Sequence, residues 1–266
     1  MAMTPRRTTV AAALLAAALS FAGAVAWAQA PDWKKVRIGV EGAYPPFSEV
    51  GTDGKLKGFD IDIALALCAE MKAECTLVQQ EWDGMIPALQ ARKFDAIIAS
   101  MAITEERKKS VAFTDKYYNT PAWLVGKAGT SPDQSPAAWK GKKIGVQRTT
   151  THDRYVTQTY KDSEIVRYAK QDEVFLDLAA GRIDAALCDS VAADLGFLKK
   201  PAGKGFAPIG APIDDPAIFG VGSGIALRKT DAALLQKFNA AIAAIRANGS
   251  YKKIQDKYFT FDVYGR

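Results

Sequence analysis

The feature of this 266-residue sequence that most restricts its fold is a repeated order of predicted strands and helices. The segment VRIGVE at 36–41 is matched by KKIGVQ at 142–147, which shares the Ile-Gly-Val core and also ends in a polar residue. Later in each copy, LQARKFDAIIASM at 89–101 is matched by LAAGRIDAALCDS at 178–190. A repeat of element order within one chain predicts two similar lobes.

Within the first copy, strands and helices alternate. Apolar runs predict strands at 36–40, 74–80 and 94–100, and an amphipathic pattern predicts a helix over 58–71. Alternation of this kind is typical of an open parallel sheet, because each helix carries the chain back across the sheet. We therefore predict an α/β fold with two lobes, each a mostly parallel sheet flanked by helices.

The connections between the copies define the domain organisation. A Pro-, Gly- and Ser-rich segment at 120–142 separates the copies, and a second connection near Ile218 would return the chain to the first lobe. Two crossings would form a two-strand hinge, on which the lobes can close around a ligand. The predicted division is lobe 1 from residues 31–119 plus 220–266, lobe 2 from 120–219, and hinge crossings near 119–122 and 216–220.

The first thirty residues have the pattern of a secretory signal peptide. Arg6 and Arg7 form a positive start, residues 10–26 are small and apolar, and Ala28-Gln29-Ala30 is an A-x-A cleavage pattern. A membrane anchor is the alternative, but the run is Ala-rich and ends in that cleavage pattern. We therefore expect residues 1–30 to be removed, the mature chain to be exported, and no membrane insertion afterwards.

Charge and cysteine content exclude several classes of function. The chain has 35 Lys and Arg residues against 29 Asp and Glu residues, a formal charge of +6, and the basic residues are interleaved with acids. A solvated surface explains this pattern better than a nucleic-acid-binding stripe does. With one His in the chain, Cys68 and Cys75 are a poor zinc site, but after export they are candidates for a disulfide, whereas Cys188 is expected to be buried. We expect no nucleic acid, metal or cofactor.

Polar and aromatic residues follow the predicted strands of both copies. In open parallel sheets, ligands bind beyond the carboxyl ends of the strands, so these residues are the candidates for a binding site. The candidates are Glu41 and Tyr44 after the first strand, Trp82 after the second, Ser100 and Arg107 after the third, and Thr151 and Asp189 in the second copy.

Two of these candidates have opposite charges. Arg107 lies in the first turn of a helix that Thr104 could cap, where a guanidinium beside free backbone N–H groups suits a carboxylate. The alternative is a surface Arg paired with Glu105 or Glu106. Asp189 ends an apolar strand and would suit an ammonium group, the alternative being an N-cap of the next helix.

The remaining candidates would surround a side chain. Tyr44 and Trp82 offer flat faces for an aliphatic or guanidinium group, although aromatic residues are more often part of a core. Glu41 would favour a cationic ligand tip, and its alternative is an exposed loop acid. The single His152 follows Thr151 in a polar segment, where we expect it to be solvated.

Several motifs together resemble a known family. They are IGVEGAYPPF at 38–47, GFDIDIALALC at 58–68, WDGMIPAL at 82–89, DAIIASMAITEERK at 95–108, GRIDAALCDS at 181–190, FGVGSGIALRK at 219–229 and KYFTFDVYG at 257–265. With these motifs, the chain from about Val36 to Tyr264 resembles the periplasmic solute-binding proteins of polar amino acid ABC transporters. It is most similar to the lysine/arginine/ornithine- and histidine-binding members.

This resemblance implies a monomeric periplasmic receptor with a two-lobe clamshell fold. The receptor would bind a free cationic L-amino acid, namely arginine, lysine, ornithine or histidine, and deliver it to an inner-membrane ABC permease. By position, the resemblance implies that Arg107 binds the ligand carboxylate with help from Ser100 and Thr151, and that Asp189 binds the α-ammonium group. It also implies that Tyr44 and Trp82 stack on the ligand side chain and that Glu41 binds the end of that side chain. The disulfide of the family falls on Cys68 and Cys75.

Departures from the family pattern leave the ligand open. Ala99 and Ala102 stand where the lysine/arginine/ornithine type has hydroxyls, and Glu41 and Trp82 replace a shorter acid and a Phe or Leu. Arginine fits an acid and a large aromatic face, but an opine or another polar amino acid is an alternative. The fold also resembles periplasmic cyclohexadienyl dehydratases, yet the sequence has no nucleophile paired with a base, so we expect a non-enzymatic receptor.

Overall fold

The computed structural model describes Met1 and residues 32–265, so the predicted signal peptide, apart from Met1, lies outside the described residues. Its strands are β1 Lys35–Val40, β2 Ala43–Tyr44, β3 Ser48–Val50, β4 Leu56–Lys57, β5 Glu74–Gln79, β6 Ala96–Ile97, β7 Ala112–Tyr118, β8 Ala122–Lys127, β9 Lys143–Gln147, β10 Glu164–Tyr168, β11 Ala185–Asp189, β12 Phe206–Pro208 and β13 Ser223–Leu227.

Helices connect most of these strands. They are α1 Phe59–Glu70, α2 Met85–Gln90, α3 Glu105–Lys108, α4 Thr151–Thr159, α5 Gln171–Ala179, α6 Ser190–Ala193, α7 Pro216–Phe219, α8 Ala232–Ala247 and α9 Ser250–Tyr258. Short 3₁₀ turns cover Trp82–Gly84 and Pro201–Gly203, and a π-helical turn covers Asp194–Leu198.

The first sheet has the strand order β5-β1-β6-β13-β7. Strand β1 is parallel to β5 and β6, so Ile38 lies opposite Leu77 on one side and Ala96 on the other. Strand β13 is antiparallel to both β6 and β7. The helices α1, α8 and α9 cover this sheet, with Phe59 and Phe238 fully buried in the shared core. The sheet therefore contains the predicted parallel strands together with an antiparallel pair.

The second sheet repeats this arrangement, with the strand order β10-β9-β11-β8-β12. Strand β9 is parallel to β10 and β11, whereas β8 is antiparallel to β11 and β12. Leu124, Ile144 and Leu187 lie in its core, and Phe175 stacks on Phe197 with ring centroids 4.9 Å apart. The internal repeat seen in the sequence therefore corresponds to two mixed sheets of like topology.

The chain passes twice between the sheets. It leaves the first sheet at the end of β7 and enters the second at β8, and it returns between β12 and β13. The two connections meet, because Ala122 and Ile213 exchange backbone hydrogen bonds of 2.9 and 2.8 Å. We call the parts that carry the first and second sheets lobe 1 and lobe 2. The residue limits of the two lobes, and the role of the two connections as a hinge, remain predictions.

The third predicted strand is shorter than expected. Only Ala96 and Ile97 of the run 94–100 pair as β6. At Ser100 the backbone has a φ of 54°, in the left-handed region, so the chain turns away from the sheet there. The turn brings Ser100 to the end of the sheet rather than continuing the strand.

The cysteines lie as predicted. A disulfide joins Cys68 near the end of α1 to Cys75 in β5, and Cys188 is a buried free thiol in β11. Across residues 32–265, none of the helices is both long enough and apolar enough to cross a membrane.

Candidate ligand-binding site

The predicted site residues line two adjoining cavities between the sheets. Glu41, Tyr44, Trp82, Ser100, Arg107 and Thr151 line the first cavity, and Asp189 lines the second together with Tyr44, Ser100 and Thr151. The space between the residues that line the first cavity is about 320 Å³, including the part that is open to solvent. The fold therefore brings all the candidates together, while their contacts with a ligand stay a prediction.

Arg107 contributes the positive charge of the first cavity. Thr104 caps α3 as predicted, because its Oγ1 accepts a hydrogen bond from the Arg107 backbone N–H at 3.2 Å. The guanidinium donates from Nη1 to the Ala102 carbonyl at 3.1 Å and lies 5.1 Å from the centroid of the Trp82 ring. Burial lowers the pKa of Arg107 to about 10, so it remains protonated at neutral pH.

The surface ion pair considered as the alternative for Arg107 is wrong. Glu105 and Glu106 instead bind Lys108 and Lys109, each at 2.8 Å. Among the described residues, no carboxylate forms a salt bridge with Arg107. The guanidinium therefore has unused donors in the cavity, and these suit an anionic group of a ligand.

The start of α4 lies beside Arg107. Thr150 caps this helix, accepting a hydrogen bond from the Asp153 backbone N–H at 3.1 Å, and Thr151 and His152 follow in the first turn. His152 is partly buried rather than exposed as expected, because it lines both cavities and its ring lies 5.5 Å from the Phe219 ring. Burial, and secondly the charge of Arg107, lower the pKa of His152 to about 3, which leaves the imidazole neutral.

Asp189 combines the two roles that the sequence left open. Its Oδ1 caps α6 by accepting hydrogen bonds from the Val191 and Ala192 backbone N–H groups at 2.8 and 3.1 Å. Its Oδ2 accepts a short hydrogen bond from the Thr120 hydroxyl. The side chain is buried and also lines the second cavity, and burial raises its pKa to about 6.

Ser100 is held by a buried acid that sequence reasoning missed. Its hydroxyl donates to Asp60 Oδ2 at 2.9 Å, and the Tyr117 hydroxyl donates to Asp60 Oδ1 at 2.9 Å. Burial raises the pKa of Asp60 to about 7. The acid lies in the first turn of α1, where a carboxylate is ordinarily explained by the helix dipole, so the sequence carried no signal for this contact. With its proton given to Asp60, the Ser100 oxygen can accept from a donor in the cavity.

Glu41 is buried, so its alternative as an exposed loop acid is wrong. Only 5% of its surface is exposed, and its Oε1 accepts a hydrogen bond from Gln147 Nε2 at 2.6 Å. Burial raises the pKa of Glu41 to about 7. Because Glu41 follows β1 and Gln147 ends β9, this contact joins lobe 1 to lobe 2 across the first cavity.

Further polar contacts join the lobes beside the cavity. Arg148 forms a close ion pair with Asp83 in the 3₁₀ turn of lobe 1, and Lys170 Nζ lies 4.0 Å from Glu81 Oε1. The described structure therefore has the lobes in contact through the two residues that flank Trp82 in the sequence.

The two aromatic candidates, Tyr44 and Trp82, line the first cavity and also pack in the hydrophobic core. Tyr44 and Trp82 line the first cavity, yet each is only 8% exposed and belongs to a hydrophobic cluster of lobe 1. Tyr44 stacks on Phe47 with ring centroids 5.8 Å apart. Packing against the core therefore fixes the position of both rings at the cavity.

Sequence reasoning also missed the residues that the crossings bring to the second cavity. The sequence signal that could have identified these residues is that they lie close to the predicted hinge crossings near 119–122 and 216–220. They are Tyr118, Asn119, Thr120, Asp214, Phe219 and Ser223. In the part of the chain that the structure describes, no group of three or more His, Cys, Asp or Glu side chains is placed to hold a metal ion.

Two proteins of similar sequence bind basic amino acids according to their names. An L-arginine-binding protein of Pseudomonas aeruginosa is 58% identical over 234 residues, 87% of this chain and 90% of that protein. The lysine/arginine/ornithine-binding periplasmic protein of Escherichia coli is 45% identical over 232 residues, 86% of this chain and 89% of that protein.

Two solved structures of similar fold bear on the choice between an amino acid-binding protein and a dehydratase. A Salmonella typhimurium periplasmic binding protein described for its high arginine specificity superposes with a TM-score of 0.79 at 36% identity, covering 85% of this chain and 99% of that one. An ancestral amino acid-binding protein, described as a precursor of cyclohexadienyl dehydratase, has a TM-score of 0.74 at 31% identity over 85% and 96% of the chains.

These likenesses agree with the two sheets and the cavities between them. The fold is the two-lobe α/β fold of periplasmic binding proteins, as the sequence predicted. The family model for bacterial extracellular solute-binding proteins, family 3, matches residues 36–261, nearly the whole of the described chain. The chain therefore belongs to the bacterial extracellular solute-binding proteins, family 3.

Proposed function

We propose that this protein is a periplasmic receptor that binds a cationic L-amino acid between its lobes and delivers it to an inner-membrane ABC permease. The observation that carries the proposal is the set of charges in the two cavities. A guanidinium without a carboxylate partner among the described residues, Arg107, lies with two buried carboxylates, Asp189 and Glu41, while a third carboxylate at the second cavity, Asp214, is exposed to solvent. A cationic amino acid has the complementary set, with one carboxylate and two cationic groups.

The contacts support a role for each side chain. The ligand carboxylate would bind the Arg107 fork and Thr151, helped by the unpaired N–H groups at the start of α4. The α-ammonium would bind Asp189 and the Ser100 oxygen, whose own proton is donated to Asp60. This assigns Ser100 to the ammonium rather than to the carboxylate that the family resemblance implied.

The side chain of the ligand would extend toward Glu41. A planar guanidinium could bind the Glu41 carboxylate through parallel hydrogen bonds and pack against Tyr44 or Trp82, so we place L-arginine before lysine, ornithine and histidine. The name of the relative at 58% identity supports this order. An opine carries a carboxyalkyl group on its α-nitrogen, and the carboxylate of that group would lie near Asp189, so opines are disfavoured by charge.

The proposed receptor function includes three expectations about the whole protein. We propose that residues 1–30 direct export and are removed, that the mature protein is monomeric, and that the lobes are 31–119 plus 220–266 and 120–219. The hydrogen bonds between Ala122 and Ile213 support a two-strand hinge at the crossings, because they couple the two connecting segments.

We propose that the protein has no dehydratase activity. A dehydratase needs a proton donor placed at the leaving hydroxyl. His152, whose pKa burial lowers to about 3, is neutral in the cavity and is not such a donor near neutral pH, and the carboxyl groups of Glu41 and Asp189 are proposed to serve as anions for the cationic groups of the ligand. The relatives described by name as amino acid-binding proteins support the same choice. Purified protein incubated with prephenate should give no phenylpyruvate, and measurable turnover would contradict this part of the proposal.

A ligand screen tests the proposed function. Protein purified from the periplasm would be titrated calorimetrically and by thermal shift with arginine, lysine, ornithine, histidine, citrulline and glutamate. The melting temperature should rise with the concentration of the cationic amino acids, because they bind the folded state alone. Equal or tighter binding of glutamate, or no binding of any cationic amino acid, would contradict the proposal.

A further inference from the structure

Gln147 occupies the position in lobe 2 that corresponds to Glu41 in lobe 1. Each follows the Ile-Gly-Val core of its strand, and the two side chains meet across the first cavity, with only 5% of Glu41 and 3% of Gln147 exposed. The Gln147 amide donates to Glu41 Oε1 at 2.6 Å and to the Ala169 carbonyl at 3.2 Å. Both neighbours of the amide nitrogen are acceptors, so they fix which way the amide points.

We propose that Gln147 is a positioning residue that sets specificity, by holding the Glu41 carboxylate as an acceptor for a cationic side-chain end. The inference rests on the proposed function, because it concerns the same site. The hydrogens of the Gln147 amide are directed at Glu41 and Ala169, so they do not serve the ligand. Glu41 Oε2 accepts no hydrogen bond from the described residues and is therefore the oxygen left for a ligand N–H.

The surroundings of Glu41 explain why it needs this support. Burial raises the pKa of Glu41, and the negative charges of Asp172, Asp60 and Asp83 raise it further, whereas the hydrogen bond from Gln147 lowers it. The charged groups on the elements around it are Asp60 on α1, Asp83 in the 3₁₀ turn, Arg107 on α3, Asp172 on α5, Lys170 before α5, and Glu49 and Glu81 in the adjoining groove.

Loss of the Gln147 amide should therefore change what Glu41 recognises. A carboxylate binds a guanidinium or ammonium, but a protonated carboxyl group has an O–H that can donate to the carbonyl of a neutral side chain. Without Gln147, more of Glu41 would be protonated at neutral pH. The site should then lose its preference for a charged side chain over a neutral one of the same shape.

Arginine and citrulline provide the matched pair of ligands, because citrulline replaces the guanidinium by an uncharged urea group. Calorimetric Kd values for both would be measured at pH 6, 7, 8 and 9 with the wild type, Gln147→Met and Gln147→Leu. Gln236→Met, on the exposed face of α8, is the control. Circular dichroism melting shows whether each variant is folded before its Kd is used.

We expect the ratio of citrulline Kd to arginine Kd to fall about tenfold in Gln147→Met at pH 7, and to recover toward the wild-type ratio at pH 9, where Glu41 is ionised again. A ratio that is unchanged, or that falls equally at pH 7 and pH 9, would overturn the inference. If the wild type itself binds no arginine, it is the proposed function that fails. If the wild type binds arginine and Gln147→Met keeps the ratio, the role of Gln147 alone fails.

Discussion

At the residue scale, the site depends on charged groups that the fold leaves without a full set of partners. Arg107 donates to one backbone carbonyl and packs against Trp82, and no described carboxylate neutralises it. Asp189 and Glu41 each have at least one hydrogen-bond donor from the protein, yet both are buried. Burying charges in this way is costly for the free protein, and a ligand with matching charges removes that cost.

The first prediction concerns Arg107. Arg107→Ala should weaken binding of every α-amino acid, because all carry the carboxylate that this guanidinium is proposed to bind. Losing one partner of a buried charge pair costs roughly 2–5 kcal/mol, so calorimetry should show Kd rising about 30-fold or more. Arg154→Ala, an exposed arginine on α4, is the matched control and should leave Kd unchanged. Wild-type affinity in Arg107→Ala would remove Arg107 from the site.

The second prediction concerns pH. The pKa values of Glu41, at about 7, and Asp189, at about 6, lie above those of ordinary carboxyl groups because both are buried. Cationic ligands need the ionised forms, so arginine affinity should fall as the pH is lowered from 8 to 5, and binding near pH 6.5 should release protons. Titrations in buffers of different ionisation enthalpy measure that release. Affinity that is independent of pH over this range would contradict the assignment.

The raised pKa values of Glu41 and Asp189 also affect the stability of the ligand-free protein. Its dependence on pH has the opposite sign to that of arginine affinity. A carboxyl group with a raised pKa in the folded state binds more protons there than in the unfolded state, so the free energy of unfolding falls as pH rises. For Glu41 and Asp189, this loss occurs between about pH 4 and pH 7. The charges that are proposed to bind the ligand at neutral pH thus lower the stability of the ligand-free protein.

At the element scale, the disulfide joins two neighbouring elements of lobe 1. Cys68 lies in the last turns of α1 and Cys75 is the second residue of β5, the edge strand of the first sheet. The bridge therefore closes a short loop on the side of the sheet away from the crossings. Neither cysteine lines the described cavities.

The third prediction follows from this position. Replacing both cysteines, Cys68→Ala with Cys75→Ala, should lower the free energy of unfolding by about 2–3 kcal/mol, the range expected for so short a loop. Urea unfolding of the double variant and the wild type measures the difference. Arginine Kd should stay within about twofold, because neither cysteine lines the cavities and the two effects should be independent. A large change in Kd with unaltered stability would contradict the separation of bridge and site.

Strands and helices of strong periodicity could be predicted from the sequence, but their partners could not. Strand β1, helix α1 and strand β5 lie within a residue of their predicted limits. The antiparallel placement of β13 between β6 and β7 depends on contacts between distant parts of the chain, which periodicity does not encode. Asp60 was missed for the same reason, since its partners Ser100 and Tyr117 come from other elements.

The positions of the candidate residues could be predicted because ligands of open parallel sheets bind beyond the carboxyl ends of the strands. Glu41 and Asp189 were chosen on that ground, and the structure places them at the two adjoining cavities, while their contacts with a ligand stay a prediction. What could not be predicted is how each charge is held. The capping of α6 by Asp189 and the contact of Gln147 with Glu41 both require three-dimensional distances.

At the scale of the whole molecule, the described structure has its lobes closed on the cavity by polar contacts. Arg148 of lobe 2 pairs with Asp83 of lobe 1, and these residues are the immediate neighbours of the cavity-lining Gln147 and Trp82. Opening of the proposed hinge would separate these two side chains, so the pair would contribute to the closed form alone. Its side chains are 44% and 25% exposed, so solvent and salt weaken it.

The fourth prediction is a double-mutant cycle on this pair. Asp83→Asn and Arg148→Gln should each raise the arginine Kd by about two- to fivefold, chiefly through faster dissociation, with a coupling energy of about 0.5–1 kcal/mol. Stopped-flow release of arginine at low and high salt measures the effect. Asp194→Asn, which breaks the Asp194–Lys199 pair within lobe 2, is the control and should not change release. Additive effects of the two variants would show that the pair does not stabilise closure.

We have proposed that one amino acid spans the two lobes, with its carboxylate on Arg107 and its cationic groups on Asp189 and Glu41. A crystal structure of the protein grown with L-arginine tests this binding mode most directly. We expect arginine inside the described cavities, with its carboxylate within hydrogen-bond distance of the Arg107 guanidinium, its α-nitrogen against Asp189 and its guanidinium against Glu41. Arginine bound in the reverse direction, or outside these cavities, would contradict it.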